Sequence, residues 1–216
     1  MDKEDILKLL AERHPLLSDN LKTIEDAASA IIDSYRHGGK LLICGNGGSS
    51  SDSEHFAAEL MKSFENNRPI ETKLSKKLKE ISSVHGECLS RCLESGLPAI
   101  SLSSHTSLTT AICNDSEADL IFAQQVIGYG KAGDILIAIS TSGNSQNVTD
   151  ACITARALEM KVLGLTGADG GEMRAFCDIL INVPETETAN IQELHLPVIH
   201  AICRIVENHF FPHPKK

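Results

Sequence analysis

Apolar positions along this chain follow two rhythms. Short unbroken runs at residues 40–44, 99–102, 135–140, 162–166 and 179–183 read as buried strands. Between them, apolar residues recur with helical spacing. One such segment spans 3–13. A second is capped by Ser18 or Asp19 and runs to about residue 36, with Ile24, Ala27, Ala28, Ile31, Ile32 and Tyr35 on its inner face. Further helices are expected from the stretch after residue 50, then at 106–113, 117–129, 145–160 and 190–211. Pro197 lies inside the last of these and predicts a kink, because proline removes a backbone donor. Five buried strands alternating with helices predict an α/β fold: a doubly wound, five-stranded parallel sheet flanked by helices. The reading is one domain over 1–216, with an N-terminal helical pair (1–38) and a helical insertion (70–97). The insertion is locally basic and amphipathic, as Lys73-Leu74-Ser75-Lys76-Lys77-Leu78-Lys79 illustrates.

Two of the strands run into hydroxyl-rich loops. The first loop is Gly45-Asn46-Gly47-Gly48-Ser49-Ser50-Ser51, and Ser51 and Glu54 have the spacing of a capping box at the start of the next helix. Closely approaching amides, hydroxyl donors and a helix N-terminus together form an anion cradle. His55 and Glu59 follow at i and i+4, on one helix face. The second loop, Ser140-Thr141-Ser142-Gly143-Asn144-Ser145, repeats the arrangement. Ligands of such sheets bind beyond the carboxyl ends of the strands. Two loops at that edge therefore predict one site gripping a phosphorylated ligand from two sides. Neither loop carries GK[ST] or GxGxxG, so no nucleotide cofactor is expected.

Charge and thiols narrow the class. Lys+Arg number 20 against 29 Asp+Glu, for a net charge of -9, which argues against a nucleic-acid partner. Phosphate must then be held by amides and hydroxyls. No apolar run is long enough to span a bilayer, and the charged start has no signal-peptide core, so a cytoplasmic protein without a membrane partner is expected. Seven cysteines without a CxxC pair read as free thiols of a reducing compartment. Cys88 and Cys92 read as buried thiols on one face of an amphipathic helix.

The combined motifs resemble the sugar isomerase (SIS) family, and within it the phosphoheptose isomerases. They are the first loop, His55-Phe56-Ala57-Ala58-Glu59, Asn114-Asp115, the second loop, Leu165-Thr166-Gly167, and Ile191-Gln192-Glu193-Leu194-His195 with His200. The resemblance covers nearly the whole chain except the insertion. It implies an aldose–ketose isomerase that converts sedoheptulose 7-phosphate to glycero-manno-heptose 7-phosphate through an enediol, supplying heptose for lipopolysaccharide or capsule. It implies Glu59 as general base and His200 as general acid. Substrate contacts would be Asn46, Gly47, Gly48, Glu59, Asn114, Asp115 and Gln192, with Ser140, Thr141, Ser142 and Ser145 on the phosphate. His55, Glu59, Gln192 and His200 would hold one zinc ion, and the family forms homotetramers with sites between subunits. Helical periodicity alone favours His195, one turn from Gln192, over His200, which lies about 12 Å from Gln192 along an ideal helix. A non-catalytic branch, a replication-initiation regulator that binds DnaA, is also similar down to the Phe211-Pro212-His213 ending, but lacks equivalents of Glu59 and His200. A sugar-phosphate sensor using the same cradle is the other alternative.

Overall fold

Strands β1 (Leu41–Gly45), β2 (Ala99–Ser101), β3 (Ile135–Ile139), β4 (Lys161–Thr166) and β5 (Ile179–Asn182) form one parallel sheet in the order β2-β1-β3-β4-β5. The computed structural model describes residues 1–212, so His213 of the terminal motif lies outside the described residues. The strands are apolar throughout because both faces are covered. Leu41, Ile43, Ile135, Ile137 and Ile139 point to one face, where α1 (Lys3–Arg13), α2 (Leu21–Arg36), α3 (Gly48–Met61) and α9 (Thr188–Phe210) pack. Leu42, Cys44, Leu136 and Ala138 point to the other, under α7 (Ala123–Tyr129) and α8 (Gln146–Ala157). The chain steps from β1 to β2 on one side and then back past β1 to β3 on the other. The strand order therefore reverses at β1, which marks the carboxyl ends of β1 and β3 as the crevice position of an open α/β sheet.

Several local expectations shift. The Ser51/Glu54 capping box does not form, since α3 begins three residues earlier, at Gly48, without a side-chain cap. Gly47 takes φ +56, which lets the chain turn straight from β1 into the helix and leaves Ser51 inside it. Neither Ser18 nor Asp19 caps α2. Residues Pro15–Asn20 form a 3-10 turn, in which the Ser18 hydroxyl donates to the Pro15 carbonyl (2.7 Å). The segment 117–129 splits into a 3-10 turn (Ala118–Leu120) and α7. A 3-10 turn at Glu172–Phe176 was not anticipated. Helix α9 continues through Pro197, with buried His195, Val198 and Ile199 holding it on the sheet.

The insertion forms a helical hairpin of α4 (Thr72–Ile81) and α5 (Ser83–Cys92). These helices pack on each other, while Leu74, Ile81, Val84 and Leu89 stay exposed. Cys88 and Cys92 are exposed, not buried, because the hairpin lays no apolar face on the domain. Its base is tied down. Ser95 N donates to the Arg68 carbonyl (2.7 Å), and Leu97 N to the Leu60 carbonyl (2.9 Å).

Below that base lies a buried ion pair. Arg68 and Glu207 are 0 % and 1 % exposed, and the guanidinium meets the carboxylate through Nε (2.8 Å) and Nη2 (2.7 Å). Burying two charges is costly unless every donor and acceptor is satisfied. Here Arg68 also donates to the carbonyls of Leu60 (2.7 Å) and Glu59 (3.0 Å) at the end of α3. Glu207 accepts from the amides of Phe64 (2.8 Å), Glu65 (2.9 Å) and Asn66 (3.1 Å). One polar knot therefore joins α3, the turn after it and α9. Replacing Arg68 by Met leaves the Glu207 charge buried, and should destabilise the fold by about 3–5 kcal/mol in denaturant unfolding. A loss under about 1 kcal/mol, the scale of an exposed pair, would show the knot to be dispensable.

His195 is fully buried, and neither ring nitrogen has a hydrogen-bond partner. Burial lowers its pKa to about 4, against an opposing backbone interaction with Thr166. In the unfolded chain it titrates near 6.5. Between those values the unfolded state binds a proton that the folded state refuses, so stability falls as pH drops from about 6.5 to 4, by roughly 3 kcal/mol. Across that window the unfolding free energy of the wild type should fall by this amount relative to that of His195→Leu. Equal slopes would clear His195 of the role.

Candidate active site

Both glycine–serine loops reach the crevice. The first leaves β1 at Gly45 and exposes Asn46, Gly47 and Gly48 at the N-terminus of α3. The second leaves β3, and Ser145 precedes α8. Inside the second loop the Ser140 hydroxyl lies 3.1 Å from that of Ser145 and accepts from Gly143 N (3.2 Å). The Ser142 hydroxyl accepts from Asn144 N (3.1 Å), and the Thr141 carbonyl accepts from Gly167 N (3.0 Å). Gly143 takes φ +67 and packs so closely on the Gly170–Gly171 backbone that a side chain there would collide with it. The loop is thus a pre-folded ring of hydroxyls and amides at a helix N-terminus, the arrangement that favours an anion without basic side chains.

Helices α3 and α9 carry the candidate chemistry and meet at three levels. Near the start of α3, the Gln192 amide lies against Gly48, where an added Cβ would fall 2.7 Å from its Cδ. Two turns on, His55 Nε2 faces His200 Nε2 at 3.0 Å, and His55 Nε2 lies 3.5 Å from Glu59 Oε1. At the far end, Arg68 and Glu207 lock the pair. Phe64 stacks obliquely on His200, with ring centroids 5.4 Å apart. Burial, then the neighbouring His55 and Arg204, lower the pKa of His200. One turn before His55, burial raises that of Asp52, whose Oδ2 is buried without a partner.

Helical periodicity favours His195, but the structure places His200 with His55 and Glu59, while His195 sits beneath in the core, because the packing of α9 turns that ring inward. Gln192 belongs to the level of Gly48, about 10 Å along α3 from His55. Asn114 and Asp115 lie in the last turn of α6 (Thr106–Asp115), exposed and bonded to each other (2.6 Å). No hydrogen bond links them to either loop. A cavity of about 1010 Å³ lies elsewhere, between the chain start, α2 and α9.

Two imidazole nitrogens and a carboxylate suit zinc as donor types. They are within reach of one another through His55, yet among the described residues no group of three or more His, Cys, Asp or Glu side chains is set to hold a metal ion. The donor chemistry fits, and any ion would have to draw the side chains together.

Three residues here escaped the sequence reading. Arg68 and Glu207 pair across 139 positions, and nothing local in the sequence marks such a salt bridge. Asn147 stands two residues past the second loop, yet its side chain bonds Asn46 in the first, with Asn46 Nδ2 to Asn147 Oδ1 at 2.8 Å and Asn147 Nδ2 to Asn46 Oδ1 at 3.0 Å.

Comparison with known proteins identifies the family. An SIS domain family model matches residues 8–93 and 88–167. The chain is 43% identical over 192 residues to a phosphoheptose isomerase of Alteromonas mediterranea, covering 88% of this chain and 84% of that protein. The phosphoheptose isomerase structure from Neisseria gonorrhoeae superposes with a TM-score of 0.71 at 36% identity, covering 94% of this chain and 91% of that one. The Francisella tularensis enzyme superposes with a TM-score of 0.71 at 32% identity, covering 96% and 100%. By its sheet, its paired loops and these relatives, the chain belongs to the SIS-domain family, among the phosphoheptose isomerases.

Proposed function

We propose that this chain isomerises sedoheptulose 7-phosphate to D-glycero-D-manno-heptose 7-phosphate. The observation that carries the reading is the meeting of Glu59, His55 and His200 on two helices of a domain whose β3 loop forms a ring of hydroxyls. Relatives bearing the phosphoheptose isomerase name support it. The second loop takes the phosphate through Ser140, Thr141, Ser142 and Ser145, and Asn46, Gly47, Gly48 and Gln192 line the path to the sugar carbons.

Isomerisation moves a proton between adjacent carbons. Glu59 takes a proton from C1 of the ketose, and the C–H electrons form the C1–C2 double bond as the carbonyl oxygen gains a proton from His200. The enediol then loses the O1 proton and takes one at C2, which yields the aldose. No electrons leave the sugar. His55, Glu59 and His200 are the proposed holders of a zinc ion, which when bound would polarise the carbonyl as a Lewis acid. Gln192, the fourth expected ligand, stands in one chain at the level of Gly48, about 10 Å along α3 from His55. The regulator reading is not favoured, since both Glu59 and His200 are present and the relatives are isomerases.

Three finer readings belong to the same proposal. The product feeds lipopolysaccharide or capsule heptose. The chain works in the cytoplasm, a reading supported by seven free cysteines. It assembles as a homotetramer, in which Asn114 and Asp115 serve a neighbour's site. Exposed apolar side chains on α4 and α5 support self-association.

Turnover of sedoheptulose 7-phosphate followed by NMR tests the core of this. Wild type should form the aldoheptose phosphate, and Glu59→Gln should slow it by about 10²–10⁴-fold while still binding the sugar phosphate. Undiminished turnover by the variant would remove Glu59 from the base role. Chelation should abolish activity and zinc restore it, whereas activity indifferent to chelation would discard the metal. Light scattering should give a particle four times the 23.3 kDa chain mass, and a monomer would overturn the shared site.

A further inference from the structure

We propose that Asn147 is a positioning residue for the isomerisation, holding the Asn46 side chain in one orientation over the crevice. The proposal rests on the reading of Asn46 as a substrate contact and goes beyond it. The two amides pair face to face through two hydrogen bonds of 2.8 and 3.0 Å. They come from different strand–loop–helix units, 101 positions apart. Asn46 directly follows β1, and Asn147 lies in the first turn of α8, after β3. The pair therefore spans the carboxyl ends of two neighbouring strands at the place where strand order reverses.

Stability does not explain such a pair. Asn46 is exposed and Asn147 only half-buried, so water would satisfy both amides in its absence. Orientation does explain it. An isolated asparagine can flip and exchange its oxygen and nitrogen. In a reciprocal pair, flipping one partner sets oxygen against oxygen and nitrogen against nitrogen, so neither amide turns independently of the other. Within the pair Asn46 keeps its amide plane in place and has one N–H and one oxygen lone pair free. A donor and an acceptor side by side match the hydroxyls of a sugar chain, each of which both donates and accepts. The second loop grips the phosphate end, and the Asn46–Asn147 bridge ties the sugar-binding loop to α8, the helix that follows the second loop. Phosphate binding and sugar orientation then share one rigid frame.

A double-mutant cycle on the full chain tests this. Dissociation constants for sedoheptulose 7-phosphate are measured by calorimetry for wild type, Asn46→Ala, Asn147→Ala and the double variant, with kcat and KM alongside. Asn147→Ala should weaken binding by about tenfold in the wild-type background and by less than twofold once Asn46 is already alanine. Its KM should rise more than its kcat falls, and its melting temperature should stay at the wild-type value. Equal effects of Asn147→Ala in both backgrounds would overturn the proposal, because Asn147 would then act independently of Asn46. Wild-type affinity in Asn147→Ala, or in Asn46→Ala, would overturn it too. Failure of the functional reading is separately visible, as wild-type protein that binds the sugar phosphate and produces no aldose.

Discussion

The Arg68–Glu207 ion pair sets the geometry on which the candidate chemistry depends. Helices α3 and α9 are far apart in the chain and meet along one face of the sheet. Apolar contacts would hold them together yet leave their relative slide weakly specified. A buried guanidinium and carboxylate remove that freedom, because a shift of an ångström would strand charges in the core. Arg68 reaches the carbonyls of Glu59 and Leu60, so the backbone of the proposed base is part of the lock. His200 lies two helical turns back from Glu207, and its contact with His55 follows from the same alignment.

A second constraint comes from charge. An acidic chain that handles an acidic substrate has no basic cleft to offer, and the anion site must be built from backbone. In the proposed site the two loops do this at one sheet edge. Their glycines bring amides close, and their serines supply donors that stay neutral at any physiological pH. Because strand order reverses at β1, the loops after β1 and β3 face one another across a crevice rather than lying on separate parts of the surface. The Asn46–Asn147 pair closes that gap with neutral groups.

The α4–α5 hairpin stands outside both constraints. It is anchored at its base by the segment that carries Arg68, and it buries no side chain of α4. Its insertion between the proposed catalytic helix and β2 leaves the register of β1 against β2 intact, since the knot and the strand pairing hold either end of the excursion. A self-contained hairpin can be carried there with little consequence for the core.

By itself the sequence determined the layered α/β fold, the five strands, the two anion loops and the His55/Glu59 face. Each of these depends on local periodicity or on a loop between adjacent elements, and such information is written in consecutive residues. Boundaries moved where backbone geometry overrode a side-chain signal, as when Gly47 started α3 ahead of the serine expected to cap it. Tertiary structure overrode the helical spacing that favours His195: the packing of α9 buries that ring and presents His200 to His55. It alone joined Arg68 to Glu207 and Asn46 to Asn147, because hydrogen bonds between residues more than a hundred positions apart leave no periodic trace in the chain.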